Sequence, residues 1–231
     1  DIWGFSIPRL LGIEGRLEAN KDKKIVPYKR GGLEVVSTGL ITDDEDTALM
    51  WRGLMLSKAL EQFLFDVEWG NLDYLVIDLP PGTGDIQMAL GRLLPQTELV
   101  VVTTPQLSAQ KVATRVADMA KRSFIPLLGV VENMSYFESG DGNKYNIFGK
   151  GGGDELSEKF GIPLLSKIPI SEDSIEESEN GTPILLQNNK TPTKEAMQDL
   201  VNTIIKVLPP VSDETCTGRL AKVLEELEVE A

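Results

Sequence analysis

A chain of 231 residues, 41% hydrophobic and 26% charged, can bury a full core and suits one α/β domain better than two. Its formal charge of −13 argues against a general nucleic-acid or anionic-membrane binder, although backbone amides can hold phosphate whatever the net charge. A single cysteine, Cys216, rules out an internal disulfide and suits a reducing cytoplasm, while the lack of histidine removes Ser–His catalysis and histidine-ligated zinc.

Taken in order, Leu10 to Lys24 reads as a polar, charged connector and Leu33 to Thr38 as a strand. Gly39 to Thr47, with four acids from Asp43 to Asp46, reads as a solvated loop. Leu49 to Phe65 carries a helical apolar stripe. Leu72 to Ile77 is an apolar run with aromatic and β-branched members, which predicts a strand buried on both faces. Asp85 to Leu94 follows as a short helix with Asp85 as its N-cap. Glu98 to Thr103 and Pro126 to Glu132 are further buried strands, separated by an amphipathic helix over Gln106 to Lys121. Met134 to Gly153 breaks the pattern with a Gly-, Asp- and Asn-rich excursion. Asp154 to Phe160 is a helix, Leu164 to Ile168 a last strand, Ser171 to Glu179 an acidic stretch and Thr193 to Leu208 an amphipathic helix. The Pro209-Pro210 pair ends the domain at 1–208, and 209–231 reads as a linker with a short acidic helix that docks or binds a partner. This alternation predicts a doubly wound, mostly parallel α/β sheet. No apolar run reaches the length of a membrane span.

The densest chemistry lies in Trp69 to Asp85, WGNLDYLVIDLPPGTGD. A strand ending in Asp78, followed by Leu79-Pro80-Pro81-Gly82-Thr83-Gly84, can continue neither as strand nor as helix. Ligands of an open parallel sheet bind beyond the carboxyl ends of its strands. An acid there, with a rigid turn of backbone donors, suits Mg²⁺-nucleotide: Asp78 for the metal's water shell, Gly82 and Thr83 for the terminal phosphate. Without that turn, Asp78 would read as an acid capping the next helix.

This stretch resembles the signature of the Mrp/ApbC family of MinD-like P-loop ATPases, described as iron–sulfur cluster carriers. Further blocks follow the family's order: Asp1 to Pro8 (DIWGFSIP), Trp51 to Met55 (WRGLM, with Leu54 at a usual proline), Thr103 to Gln106, Val131 to Ser135 and Ile147 to Gly153. The resemblance implies a MinD-like fold that binds ATP and Mg²⁺, dimerises around the nucleotide and passes clusters to apoproteins. It also implies roles for single residues. Asp1 would be the switch I acid orienting the attacking water, Asp78 the acid holding Mg²⁺ through water, and Asn133 the reader of adenine. Pro169 and the loop after it would lie where the family closes over the base.

Each residue has a plainer reading. Asp1 would be a frayed, solvated terminal residue, and Asn133 would close a turn on its own backbone. Arg52 would clamp a phosphate or form an exposed salt bridge. Trp51 and Trp69 are packing residues. Two features depart from the family pattern. No GxxxxGK[ST] occurs, so the chain is expected to be a fragment lacking its first βα unit, inactive by itself. The excursion carries Glu138 to Asn143 (ESGDGN) where cluster carriers place Cys-x-x-Cys. Cys216 reads as a tail thiol, and no iron–sulfur ligand is identified. Two other readings therefore stand beside the carrier: a non-enzymatic scaffold or pseudo-ATPase, and a MinD/ParA-like positioning ATPase, against which the acidic last helix argues.

Overall fold

In the computed structural model, residues 1–4, 6–41, 53–171 and 178–210 are described. Phe5, the acidic loop, Trp51 and Arg52, most of the 171–179 stretch, Cys216 and the expected last helix lie outside them.

The sheet is built from three strands, β5 (Leu99–Thr103), β6 (Leu127–Glu132) and β9 (Leu164–Lys167), all parallel and in the order β5-β6-β9. Parallel neighbours need a crossover, and helices supply both. Helix α4 (Leu107–Arg122) links β5 to β6, and α5 (Gly152–Phe160) precedes β9. Helix α6 (Pro192–Val207) packs on β9. It starts where Thr191 Oγ1 accepts the Lys194 N–H at 3.2 Å, and Pro192 sits in its first turn. Helix α4 turns Ala113, Ala117 and Ala120 inward, the last two without solvent contact. Small side chains let this helix lie close to the sheet, where Val101, Val130 and Leu156 complete the core.

The first half of the chain packs differently. Two short hairpins, β1 (Glu18–Ala19) with β2 (Ile25–Val26) and β3 (Tyr28–Arg30) with β4 (Leu33–Val35), follow the small helix α1 (Ser6–Leu10). Helices α2 (Gly53–Phe65) and α3 (Asp85–Leu93) pack on one another. They enclose a separate cluster of Ile2, Val36, Leu60, Phe63, Val67, Ile86, Ala89 and Leu90. Trp69 packs against it and donates its indole N–H to the Phe63 carbonyl at 2.7 Å, in keeping with a packing role.

Three expectations change. Leu72 to Ile77 is not a strand of the sheet and is not buried on both faces: it runs without strand pairing, and Val76 is 87% exposed. Its pattern has the composition of a central strand, but no described neighbour pairs with its backbone. The expected Leu33 to Thr38 strand shortens to Leu33–Val35 because Ser37 accepts the Gly39 N–H and starts a 3₁₀ turn over Thr38–Leu40. The connector at 10–24 also gains β1, which the polar sequence did not signal.

Gly129 fixes the closeness of β6 and β9. A Cβ there would stand 2.6 Å from Leu165 Cγ and 2.7 Å from the Pro163 carbonyl oxygen, beside the register shift at Val130/Val131. Gly129→Ala should lower the free energy of urea unfolding by about 1–3 kcal/mol. Gly140→Ala, with open space around its Cβ, should change it by less than about 0.5 kcal/mol.

Candidate functional site

Asp78 stands exposed at the end of the Leu72–Ile77 segment, and its carbonyl accepts the Ile2 N–H at 3.2 Å. That bond brings Asp1 beside it. The Asp1 ammonium donates to Val36 O at 3.1 Å, its carbonyl accepts the Thr38 N–H at 3.2 Å, and its Oδ2 accepts the Ser37 hydroxyl at 3.1 Å. Asp1 is therefore half-buried and tied on several sides, not frayed. Burial pulls its ammonium below the ordinary pKa of an α-amino group, while the neighbouring Asp78 charge acts in the opposite direction.

Ser37 and Thr38, both buried, are the residues that sequence reasoning missed here. The Thr38 hydroxyl donates to the Gly4 carbonyl at 3.2 Å, the Ser37 hydroxyl shares its one proton between that carbonyl at 2.9 Å and Asp1 Oδ2, and the Gly39 N–H adds a further bond at 3.1 Å. A Cβ at Gly4 would stand 2.8 Å from Asp1 Oδ1, so only glycine lets the carboxylate fold over this turn without displacement. The available signal was the Ser-Thr-Gly that ends the predicted strand.

The Leu79–Gly84 turn is held by another residue that sequence reasoning passed over. Gln87, 4% exposed, donates from Nε2 to Pro80 O at 3.2 Å and to Gly82 O at 3.0 Å. Its Oε1 accepts the Gly84 N–H at 2.8 Å. Gly84, not Asp85, is the N-cap of α3, and Gln87 is the third helical residue, where an amide commonly reaches back to the cap. Asp85 instead opens the helix, where its charge suits the positive end of the dipole. Gly82 takes φ 93°, a left-handed conformation that favours glycine, and Thr83 is exposed beside it.

Asn133 and Pro169 lie apart from this corner, at the carboxyl ends of β6 and β9. Asn133 donates its backbone N–H to Thr103 O at 2.7 Å, and its Oδ1 accepts the Met134 N–H at 2.9 Å. The side chain thus does close a turn on its own backbone, at Met134 with φ 54°. Pro169 is buried, and its carbonyl accepts the Thr193 hydroxyl at 2.9 Å.

Glu132, another residue not anticipated, joins these ends. It is 1% exposed. Oε1 accepts the Ser135 hydroxyl at 2.5 Å, Oε2 the Gly153 N–H at 2.6 Å, and the Glu132 carbonyl the Ile168 N–H at 2.9 Å. One carboxylate thereby ties the end of β6 to the first turn of α5, while the main chain ties it to the residue before Pro169. A Cβ at Gly153 would meet Glu132 Cβ at 2.8 Å, which explains the glycine.

A cavity of about 420 Å³ is lined by Asp1, Asp78, β4, Leu60, Phe63 and the Leu72–Ile77 segment. Its lining includes neither Asn133 nor Pro169. Among the described residues, no three acids, cysteines or histidines gather closely enough to form a metal cage. A lone exposed carboxylate suits Mg²⁺, which keeps several waters and takes one or two carboxylates together with phosphate. The excursion forms a small hairpin, β7 (Phe137–Glu138) with β8 (Lys144–Tyr145). At its tip the Ser139 hydroxyl and the Asn143 backbone N–H and side-chain amide surround Asp141, and hold its carboxyl below the usual range, the hydroxyl foremost.

A family model described as ParA, NUBPL iron-transfer P-loop NTPase matches residues 1–205. The chain belongs to this iron-transfer P-loop NTPase family. A relative in Aquifex aeolicus, named iron–sulfur cluster carrier protein, is 41% identical over 210 residues, covering 90% of this chain and 58% of that protein. A relative of the same name in Saccharolobus solfataricus is 37% identical over 211 residues, covering 90% of this chain and 71% of its own length. The chain thus spans less than two thirds of the Aquifex protein. Among solved structures, a nucleotide-binding protein from Archaeoglobus fulgidus in complex with ADP aligns with TM-score 0.66 at 32% identity, covering 84% of this chain and 76% of that one. The MinD protein of Pyrococcus horikoshii, complexed with Mg-ADP, aligns with TM-score 0.62 at 16% identity, covering 90% of this chain and 82% of that one. That likeness shows a shared P-loop NTPase fold. No described helix is long and apolar enough to cross a membrane.

Removing the Glu132 carboxylate leaves a buried N–H and a buried hydroxyl without their acceptor. Glu132→Ala should lower stability to urea by about 2–4 kcal/mol, and Glu132→Gln, which keeps an acceptor and a donor, by less than half as much. Equal losses for the two variants would show that the hydrogen bonds carry no weight.

Proposed function

We propose that this chain contributes the metal, switch and base-facing parts of a Mg-ATP site, and that the nucleotide state governs the carriage of an iron–sulfur cluster. The observation that carries the proposal is the joined pair of acids: Asp78 beyond the Leu72–Ile77 segment, bonded through Ile2 to the turn that fixes Asp1. Family membership and the ADP-bound relative support a nucleotide site, and the names of the curated relatives support cluster cargo.

In this reading Asp78 would hold Mg²⁺ through the ion's own water shell, and the ion would supply positive charge to offset the phosphates. Asp1, held in orientation by Ser37, accepts a hydrogen bond from the attacking water and turns its lone pair toward phosphorus. Gly82 and Thr83 present backbone N–H groups and a hydroxyl to the terminal phosphate. Gln87 keeps that turn from collapsing when the phosphate leaves. Most of the rate gain is positional and electrostatic, as for phosphoryl transfer generally. The side-chain NH₂ of Asn133 is directed to the adenine edge while its Oδ1 stays on Met134, and Pro169 closes over the base. The lysine-bearing phosphate loop, whose pattern does not occur in these 231 residues, is assigned to the remaining length of the parent protein.

The parent works as a homodimer in the cytoplasm, handing clusters to apoproteins. Cys216 remains a tail thiol in this reading: one thiolate per subunit would give a dimer at most two ligands, so the cluster's ligands are not assigned to this chain.

Calorimetry of Mg-ATP on the 231-residue chain, and on a form extended to the length of the curated relatives, tests this. Asp78→Ala in the extended form should weaken Mg-ATP binding at least tenfold, about 1.4 kcal/mol, and leave Mg²⁺-free ATP binding nearly unchanged. Unaltered Mg-ATP affinity in that variant would remove the metal role. Absence of binding in both forms would favour the scaffold reading.

A further inference from the structure

The two ends of the candidate site are joined through the far end of α1. That helix ends at Leu10, and at Gly12 the chain turns left-handed, with φ 57°, as the Ile13 N–H closes on the Pro8 carbonyl at 2.8 Å. Gly12 lies against Gly181, a buried residue of the segment 178–187 that leads from the Pro169 side to α6. A Cβ on Gly181 would stand 2.5 Å from Gly12 Cα and 2.8 Å from Gly12 N. Both are main-chain atoms that cannot swing aside, so the two backbones touch only because neither residue has a side chain. Gly181 also takes φ 77°, which favours glycine.

Arg30, the last residue of β3, spans the junction. Its Nη1 donates to the Gly12 carbonyl, and its Nη2 reaches the Gly181 carbonyl at 3.5 Å. A planar guanidinium can serve two acceptors at once, which a single ammonium does poorly. Arg9 of α1 pairs with Glu179 at 2.7 Å, but both side chains are more than half exposed and such a pair adds little by itself. The 178–187 segment is itself held. Gln187, 3% exposed, donates from Nε2 to Thr182 O at 3.1 Å, and its carbonyl accepts Lys194 Nζ in the first turns of α6, beside the Thr193 hydroxyl that bonds to Pro169 O. At the other end of α1, the Gly4 carbonyl is fixed by Ser37, Thr38 and Gly39, with the Asp1 carboxylate folded over it. A run of bonded and packed groups thus leads from Pro169 through Gln187, Gly181 and Gly12 to Asp1.

We propose that this junction makes the site sensitive to the base: Arg30 is a positioning residue, and a nucleoside seated on the Pro169 side fixes, through Gly181 and Gly12, the direction of the Asp1 carboxylate. This role rests on the nucleotide reading above and adds to it what the base does. A segment ordered by a ligand restrains whatever is packed on it, so base occupancy and the order of Asp1 favour one another by the same free energy. The base end does not have to move for this, only to lose freedom. The ligand class follows. A nucleoside triphosphate engages both ends of the run, whereas inorganic tripolyphosphate engages the phosphate-side turn alone and leaves Asp1 as loose as before. The two ligands are then separated by the order of the Asp1 corner, and not by affinity alone.

The test is amide hydrogen exchange read by NMR at Ile2 and Thr38, whose N–H groups bond to Asp78 and Asp1, with Gly181 for the junction and Val130 as a reference. In the 231-residue chain without ligand, Arg30→Ala should speed exchange at Gly181, Ile2 and Thr38 by about fivefold or more and leave Val130 unchanged. Arg30→Lys, which keeps the charge but not the fork, should restore less than half of the lost protection. Full restoration by lysine, or faster exchange at Gly181 with Ile2 and Thr38 unmoved, would overturn the role of Arg30. Arg30 is exposed, so neither variant opens a hole in the core. In the extended form, Mg-ATP should protect Ile2 and Thr38 by about fivefold more than Mg-tripolyphosphate does. Arg30→Ala should abolish that difference and leave the effect of tripolyphosphate unchanged. Equal protection by the two ligands, or a difference that survives Arg30→Ala, would overturn the coupling and leave the nucleotide reading standing. Failure of Mg-ATP to bind at all would instead be the failure of the nucleotide reading, and would overturn the base-sensing role with it.

Discussion

The candidate site depends on one short main-chain link. Asp1 and Ile2 bond to Val36 and Thr38 on one side and to Asp78 on the other. Without that link, Asp78 would end an extended segment with no fixed neighbour, and the two acids would have no defined separation. With it, the Ser37–Gly39 turn, the folded-over Asp1 carboxylate and the Pro-Pro-Gly-Thr-Gly turn become parts of one corner. The hydrophobic cluster around Leu60 and Phe63 lies directly beneath, so the polar corner stands on packed apolar side chains. Polar groups supply direction here, while burial supplies most of the stability.

The other end of the molecule is organised by a buried charge. A carboxylate removed from water is costly unless donors surround it. Glu132 has two side-chain bonds, both short, in a region where Gly153 and Ser135 are placed to make them. The result is a rigid edge carrying Asn133 and leading to Pro169. In the reading proposed above, the phosphate end moves with the nucleotide and the base end does not. The difference in construction fits that division: glycines, a proline pair and an amide staple at one end, and a buried carboxylate network on the parallel sheet at the other.

Much of the fold was legible in the sequence because burial leaves a periodic trace. The amphipathic pattern of Gln106 to Lys121 matches α4 to within a residue at each end, and β5, β6 and β9 were recognisable as short apolar runs between turn signals. The same logic misread Leu72 to Ile77. Its composition records a strand environment, but composition carries no information on whether a partner is present to pair with it. Side chains that act through hydrogen bonds were harder to see. Gln87, Ser37 and Glu132 occupy unremarkable positions in the sequence, and their importance comes from where folding brings Pro80, Gly4 and Gly153. Asp78 and the turn after it stood out because an acid followed by Pro-Pro-Gly has few structural uses. Asn133 was legible as a residue beyond a strand end, though its bond to the Met134 N–H is a local feature that only coordinates reveal.

The central claim is that Asp1 and Asp78 belong to one metal–nucleotide site. Replacing Mg²⁺ with paramagnetic Mn²⁺ in the presence of ATP, in the form extended to the length of the curated relatives, tests it most directly. The account predicts selective broadening of the amide resonances of Asp1, Ile2, Ser37, Asp78 and Thr83, with the hairpin at Lys144 and Tyr145 unaffected. Broadening centred on the hairpin or on another acidic stretch, with the Asp78 resonance sharp, would contradict it.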